Sequence, residues 1–181
     1  MKLWIIILIV LVVIFALFLL VNIIYNKFQD FIIKINEVEG KIDDTLRDKY
    51  DDLLKINNIV KEKIKTDKEI IDDLENIKAD EKSSFEIHRL LKESFNKLDF
   101  IKKQYKEVNN SEDINKLFFE VAEMDESLNA YIKYYNENIV EYNKYIRKFP
   151  FNIIGIVLKY KEKQFFDNKD LNDENIKDFK I

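Results

Sequence analysis

The first 24 residues form an almost unbroken apolar segment. Every residue from 3 to 21 is apolar, and two isoleucines extend the run after Asn22. A helix of about 20 residues rises ~30 Å, which matches the hydrocarbon thickness of a bilayer. Because lipid offers the backbone no hydrogen-bond partners, such a segment crosses it as a helix. The pattern predicts a transmembrane anchor over residues 1–24, with residues 3–24 in contact with lipid.

The segment differs from a cleaved signal peptide. Signal peptides have an apolar core of about 7–15 residues and a small-x-small cleavage site. Here the run is longer, and its one small residue, Ala16, is followed by four large apolar residues. The chain contains no cysteine, which excludes a lipoprotein signal. We therefore expect an uncleaved, single-pass protein of the cell membrane.

The basic residues beside the anchor favour a cytoplasmic body. The positive-inside rule counts Lys and Arg within about 15–20 residues of each end of the segment. Lys2 is the only basic residue before the segment, whereas Lys27, Lys34 and Lys41 follow it. The rule predicts that the short N terminus lies outside the cell and the rest of the chain inside.

Beyond the anchor, apolar residues recur at steps of three and four, the period of an amphipathic helix. No proline interrupts the chain before Thr66, so the anchor is predicted to continue into this helix as one rod. Gly40 lies on its polar side and costs about 1 kcal/mol without ending it. The apolar stripe consists of Phe28, Phe31, Ile35, Val38, Ile42, Leu46, Tyr50, Leu53, Ile56, Val60 and Ile64.

Three more helices follow in the pattern. A short one is predicted around residues 70–77, and Ser83 and Glu86 have capping-box spacing at the start of the next. That helix is predicted to carry its apolar face to Val108, before a loop at residues 109–111. The last long helix is predicted to end near Lys148, because the residue before a proline avoids the α region. Its apolar face comprises Ile114, Leu117, Phe118, Val121, Met124, Leu128, Tyr131, Tyr135, Ile139, Tyr142, Ile146 and Phe149.

These amphipathic helices predict an all-α fold. Each apolar stripe has to be buried against another element, and an antiparallel, four-helix-type bundle over residues 25–166 is the simplest arrangement. Two glycines and one proline in 181 residues argue against a many-stranded β fold. The polar tail, residues 167–181, is predicted to be disordered.

Composition removes several classes of function. The net charge is −4 with both signs interspersed, so no basic stripe indicates nucleic-acid binding. The one histidine, His88, has no partners at the spacing of a zinc or catalytic site, and we expect it at the surface or at the boundary of the core. Paired acids such as Asp43-Asp44 belong on solvated faces. We expect no enzyme activity, cofactor, metal or small-molecule substrate.

Two polar pairs, Tyr135-Asn136 and Tyr142-Asn143, stand seven residues apart on the last long helix. Residues seven apart share a helix face, so the pairs would present similar groups at successive levels. Two interpretations remain. The pairs set the register of the helix, as a polar residue does in a coiled coil, or they line a groove for a partner.

The apolar stretch from 149 to 158 is too short to cross a bilayer, and basic residues flank it on both sides. It either covers the open end of the bundle or lies on the anionic inner leaflet as an interfacial element. The candidate contacts with a partner or with the membrane are Tyr142, Asn143, Arg147, Lys148, Phe149, Phe151, Ile153, Ile154, Lys159 and Lys161.

Residues 135–155 closely resemble the C-terminal signature of the LemA family. That signature has two Tyr-Asn pairs, then basic residues, Phe-Pro, Asn and an apolar stretch with Gly, and an aromatic-acid pair matched here by Phe166-Asp167. The first soluble helix is similar to the family's at Ile42-Asp43, Leu46, Lys49-Tyr50-Asp51 and Val60-Lys61. The resemblance implies a bacterial single-pass membrane protein with a four-helix-type bundle inside the cell, and it implies no reaction.

The chain departs from the family pattern at three places. Leu54-Lys55 replaces Pro-Asn, Tyr105-Lys106 replaces the start of Tyr-Pro-Asp, and Ile132 replaces a common arginine. The missing prolines imply straighter helices. The missing arginine removes the partner that the resemblance implies for Asp125.

Together these patterns predict a non-catalytic membrane protein whose bundle scaffolds or recruits a protein partner at the cytoplasmic membrane face. One alternative is a stalk-like subunit of a larger membrane complex, with the first long helix projecting as a dimer. Another is a bundle whose C-terminal element binds lipid. The sequence leaves the partner's identity and homo-oligomerisation open.

Overall fold

A computed structural model describes residues 2–64, 74 and 82–167 of the chain. Residues 2–64 and 82–167 contain five helices and no strand, so the predicted all-α class is confirmed. The helices are α1 (Lys2–Ile64), α2 (Ser84–Gln104), α3 (Lys106–Asn109), α4 (Glu112–Arg147) and α5 (Phe151–Val157).

Helix α1 runs without interruption through 63 residues, as the absence of proline predicts. Residues 2–23 are exposed around the whole circumference, and the first buried side chain is Ile24. Gly40 lies inside the helix with no atom within 4 Å of the place where a Cβ would stand. A side chain at this position would therefore meet open space.

The capping box at the start of α2 is present. The Glu86 amide donates to the Ser83 hydroxyl over 3.3 Å, and the Ser83 amide donates to the Glu86 carboxylate over 3.0 Å. These two bonds satisfy amides that the first helical turn leaves without partners. The local sequence thus determines where α2 begins.

Helix α2 ends earlier than its apolar pattern predicts. It stops at Gln104, Tyr105 is extended, and the single turn α3 follows, so the prediction of one helix reaching Val108 is wrong. The break leaves Tyr105 44% exposed and places Val108 fully inside the core. The interruption therefore coincides with burial of Val108, and no proline is present at the break.

Helix α4 has the predicted limits to within about a residue, the usual uncertainty of helix ends. The Ser111 carbonyl accepts the first helical bond, from the Asn115 amide over 3.0 Å, and the helix ends at Arg147. Pro150 lies just beyond that end, where it cannot extend the helix.

The chain divides into two compact units. The described part of the first covers residues 2–37 and 136–165, and that of the second covers 38–64, 74, 82–135 and 166–167. The core of the second unit contains residues from α1, α2, α3 and α4. It consists of Val38, Ile42, Leu46, Leu53, Ile56, Val60, Leu74, Leu91, Leu98, Val108, Ile114, Phe118, Val121 and Leu128.

Leu74 is the described residue of the segment where a short helix is predicted, and its side chain is fully buried. The rest of that predicted helix, around residues 70–77, lies outside the described residues. So does the polar tail beyond Asp167.

The core of the first unit is built around Phe28, which is fully buried. Its ring lies 5.9 Å from that of Tyr142, 5.1 Å from that of Tyr145 and 4.7 Å from that of Tyr160, measured between centroids. Edge and tilted contacts of this kind suit the charge distribution of aromatic rings. They join α1 to the end of α4 and to the chain after α5.

The two glycines of the chain offer a matched test of helix preference against crowding. Gly40→Ala should raise the free energy of unfolding by about 1 kcal/mol, because alanine favours a helix and the site is open. At Gly155 the added Cβ would stand 3.2 Å from Ile146 Cγ1, so the same substitution should give no such gain. Denaturant unfolding of the full chain in detergent, followed by circular dichroism, measures both. Equal gains at the two positions would show that the Gly155 contact is loose.

Candidate functional site

Tyr142 and Asn143, on α4, hold the chain that follows α5. The Tyr142 hydroxyl donates to the Lys161 carbonyl over 2.9 Å. The Asn143 amide donates to the Lys163 carbonyl over 2.7 Å and accepts from the Lys163 N–H over 2.9 Å. Both side chains are at most 2% exposed, and burial raises the pKa of the Tyr142 phenol. Their polar atoms are engaged within the chain.

Arg147 continues this connection at the surface. Its Nε donates to one oxygen of Glu162 over 2.7 Å and its Nη2 to the other over 2.6 Å. This two-pronged geometry is the strong form of an arginine–carboxylate pair. The hydrogen bonds from Arg147 lower the pKa of Glu162. Together with Tyr142 and Asn143, Arg147 fixes residues 161–163 against α4.

One face of α5 packs against α4 and α1 within the first unit. The Phe151 ring stacks on that of Tyr145 with centroids 4.0 Å apart. Gly155 is buried, with Ile146 and Phe28 so close that a Cβ would lie 3.2 Å and 3.7 Å from their nearest side-chain atoms. Glycine at this position therefore permits the close approach of α5 to α4 and α1.

The end of α5 is closed by its own backbone. The Tyr160 amide donates to the Gly155 carbonyl over 2.8 Å, and the Lys159 amide to the Ile156 carbonyl over 3.1 Å. With φ of 59° at Lys159, this is the Schellman arrangement, which usually places glycine at that position. It turns the chain so that the Tyr160 ring meets Phe28 and its hydroxyl accepts from Gln29 Nε2 over 2.8 Å.

The opposite face of α5 is apolar and exposed. Phe149, just before the helix, is 77% exposed, Ile153 53%, Ile156 76% and Val157 74%. Ile153, Ile156 and Val157 lie on one side of α5 by their spacing, and Phe149 is exposed just before that helix begins. We call these four residues the outer face.

The structure thus sorts the ten predicted contact residues into four groups. Tyr142, Asn143 and Arg147 bind the chain's own return segment, and Phe151 and Ile154 are half-buried. Phe149 and Ile153 belong to the outer face. The exposed basic residues around it are Lys148, Lys159 and Lys161.

The sequence analysis missed a buried ion pair in the second unit. Lys49 is fully buried, and its ammonium donates to the Asp125 carboxylate, which is 27% exposed. Its Nζ lies 6.0 Å from the centroid of the Phe95 ring. Burial lowers the pKa of Lys49, and the bond to Asp125 opposes that shift. Asp125 thus has a basic partner on α1 although Ile132 replaces the arginine.

The spacing of α1 contains a signal for Lys49. Steps of four and three connect the buried positions 42, 46, 49, 53, 56 and 60, and Lys49 is the polar member of that series. The predicted stripe contains Tyr50 instead, which is half-buried. Spacing cannot choose between these neighbours, because each lies three or four residues from Leu46, and hydrophobicity favours the tyrosine.

His88 lies at the boundary of the core, as predicted. It is half-buried, and its ring centroid lies 6.1 Å from that of Phe166. Phe85 and Tyr135 also approach Phe166, at 5.9 Å and 6.4 Å. Burial, and then the charge of Lys49, lower the pKa of His88. The aromatic-acid pair of the sequence thus contributes Phe166 to an aromatic cluster around the histidine.

Residues 2–64, 74 and 82–167 contain no cluster of side chains that could hold a metal ion. No three His, Cys, Asp or Glu side chains converge there as a metal site would require.

A protein-family model matches most of the chain. The model of the LemA family matches residues 38–178. None of the curated proteins compared with the chain matches it.

Removing the acid of the buried pair should be costly. Asp125→Asn leaves the Lys49 ammonium buried without a counter-charge and should lower the free energy of unfolding by about 3 kcal/mol. Asp99→Asn is the control, because its partner Lys103 is mostly exposed and such pairs contribute less than about 1 kcal/mol. Denaturant unfolding measures both.

The double variant Lys49→Met with Asp125→Asn removes both charges and should recover most of the loss. If the single and double variants unfold at the same denaturant concentration, the buried charge is not the cause.

Proposed function

The chain belongs to the LemA family, and from that premise we propose that it is a non-catalytic, single-pass membrane protein that holds a protein partner at the cytoplasmic membrane face. Family membership supports the fold more than a molecular role. The observation that carries the proposal is the contrast within α1. Residues 2–23 are exposed and almost entirely apolar, whereas the following turns are buried on one side in a helical body.

The exposed part of α1 has the features of a membrane anchor. It is long and apolar enough to span a bilayer, and none of its spanning window is buried, unlike the core helix of a soluble protein. Trp4 and Tyr25 stand at its ends, about 31 Å apart by the helical rise, where membrane proteins concentrate aromatic side chains. Asn22 is a polar residue within this segment, and its side-chain amide donates a hydrogen bond to the Phe18 carbonyl over 2.8 Å.

The second unit supports an antiparallel bundle rather than a stalk. The buried stripe of α1 shares one core with residues of α2 and α4, whereas a stalk would leave that stripe for another copy of the chain. The connection between α2 and α4 is short, and short connections join antiparallel neighbours.

Binding fits the chemistry of the chain better than catalysis. The chain has no cysteine and one histidine, and that histidine is half-buried beside Phe166. On the second unit, Phe100 and Phe119 are 63% and 64% exposed. Large exposed aromatics are common anchors of protein interfaces, so these two are the candidate contacts for the partner.

The anchor and its orientation can be tested by labelling, because every introduced cysteine is unique. In intact cells an impermeant maleimide should label Lys2→Cys, which lies just before the apolar segment, and not Asn96→Cys, and permeabilisation should expose the second. Both variants should stay in the membrane after an alkaline carbonate wash. Labelling of Asn96→Cys in intact cells would reverse the orientation, and release by carbonate would contradict the anchor.

The partner can be tested by placing a photo-crosslinking residue at Phe100 or Phe119 in native membranes. Each should give an adduct of defined mass, heavier than the chain and different from its dimer. Lys133, which is exposed and polar, is the control position and should give none. Adducts of the chain with itself alone, or the same products at all three positions, would contradict a specific partner.

A further inference from the structure

We propose that α5 is an interfacial helix whose outer face inserts into the headgroup layer of the membrane that holds α1, with nearby lysines binding anionic lipid headgroups. This inference rests on the proposed membrane anchor. It concerns a ligand of the first unit, whereas the protein partner concerns the second.

The composition of α5 calls for an apolar neighbour on each side. Its seven residues include Asn152 as the only polar side chain. The inner face is covered by Tyr145, Ile146 and Phe28. The outer face is equally apolar yet mostly exposed. A helix that is apolar all round is normally buried all round, so the outer face lacks a covering layer.

The position of α5 along α1 identifies the bilayer as that layer. Gly155 packs against Phe28, which lies four residues beyond Ile24, or about 6 Å along the helix axis. The headgroup region extends about 5–7 Å beyond the hydrocarbon on each side. Amphipathic helices on membranes lie at this level, with their apolar faces about 5–10 Å deep. Ile24 is already 2% exposed, so protein covers the last residue of the apolar segment.

The charges near α5 suit an anionic surface. Lys148, Lys159 and Lys161 are exposed on either side of the outer face. The neighbouring acid, Glu162, is engaged by both prongs of Arg147, which leaves the lysines as the available charges. On α1, Lys27 and Asp30 add one charge of each sign. Basic residues close to anionic lipid bind it by this attraction.

The buried polar residues of α4 contribute to the same arrangement. Tyr142 and Asn143 hold the backbone of Lys161 and Lys163, and the left-handed turn at Lys159 starts that segment. The lysines are thereby presented by a fixed backbone beside the outer face. Because α1 tethers the chain, the bilayer is also always within reach, whereas a second copy of the chain must first be encountered.

Lipid-borne quenchers can test the location of α5 in the full-length protein. An environment-sensitive fluorophore is attached to a single cysteine, and the protein is reconstituted in phosphatidylcholine–phosphatidylglycerol vesicles carrying doxyl lipids. The probe at Val157→Cys should lose most of its fluorescence to a doxyl group near the top of the acyl chain. Val157 is 74% exposed, so this change should leave the fold intact.

Probes at two further positions distinguish a failure of the interfacial helix from a failure of the membrane anchor. The probe at Val12→Cys should be quenched by a doxyl group deep in the acyl chain. The probe at Asn36→Cys, exposed on α1 about 18 Å beyond Ile24, should be quenched by neither lipid.

The outcomes are distinct. Quenching at Val12 without quenching at Val157 would overturn the interfacial helix and leave the anchor standing. Absence of quenching at Val12 would overturn both. A Val157 probe shielded from aqueous iodide yet insensitive to doxyl lipid would show that protein, such as a second copy of the chain, covers the outer face.

The role of the lysines is tested by lipid composition. Each lysine near an anionic surface contributes about fivefold to binding. Quenching at Val157 should therefore weaken in vesicles of phosphatidylcholine alone. When Lys159→Gln and Lys161→Gln are added to the Val157→Cys protein, quenching of the probe should no longer differ between the two vesicle types. If the probe is quenched equally in both vesicle types while the two lysines are present, the anionic preference is overturned.

Discussion

The burial of Phe28 is the contact on which the arrangement of the first unit depends. Its ring meets Tyr142 and Tyr145 from α4 and Tyr160 from the chain after α5. Because Phe28 lies about one helical turn beyond the apolar segment, these contacts bring the C-terminal elements to the place where that segment ends. Gly155 completes the arrangement, since an added Cβ there would stand only 3.2 Å from Ile146 Cγ1 on α4.

Most helices follow from local sequence, with exceptions at two places. Periodicity identifies the faces of α1 and α4, and the Ser83–Glu86 box identifies the start of α2. Periodicity fails at Lys49, because a lysine enters the core through an ion pair with Asp125, 76 residues away along the chain. At Lys49 a distant contact thus overrides a local preference. Periodicity also fails at Tyr105, where the helix is interrupted and Val108 is buried beyond the break.

The candidate site shows the same limit. The sequence marks Tyr142 and Asn143 as distinctive and leaves register and binding as alternatives. The partners turn out to be backbone groups of Lys161 and Lys163, which carry no signature in a sequence. The exposure of the outer face was equally hidden, because both faces of α5 are apolar and composition cannot tell which one the protein covers.

The distribution of polar and apolar groups in the first unit explains why surfaces, rather than reactive groups, carry the proposed function. Polar side chains that could bind a ligand are engaged in fixing the backbone, as at Asn143 and Arg147. Two large exposed surfaces are instead apolar, namely residues 2–23 and the outer face of α5. Water is an unfavourable solvent for both surfaces. In the proposed arrangement a bilayer covers both at once, since the contact of Gly155 with Phe28 places α5 about one helical turn from the end of the apolar segment. One environment therefore accounts for two features that would otherwise each require a separate partner.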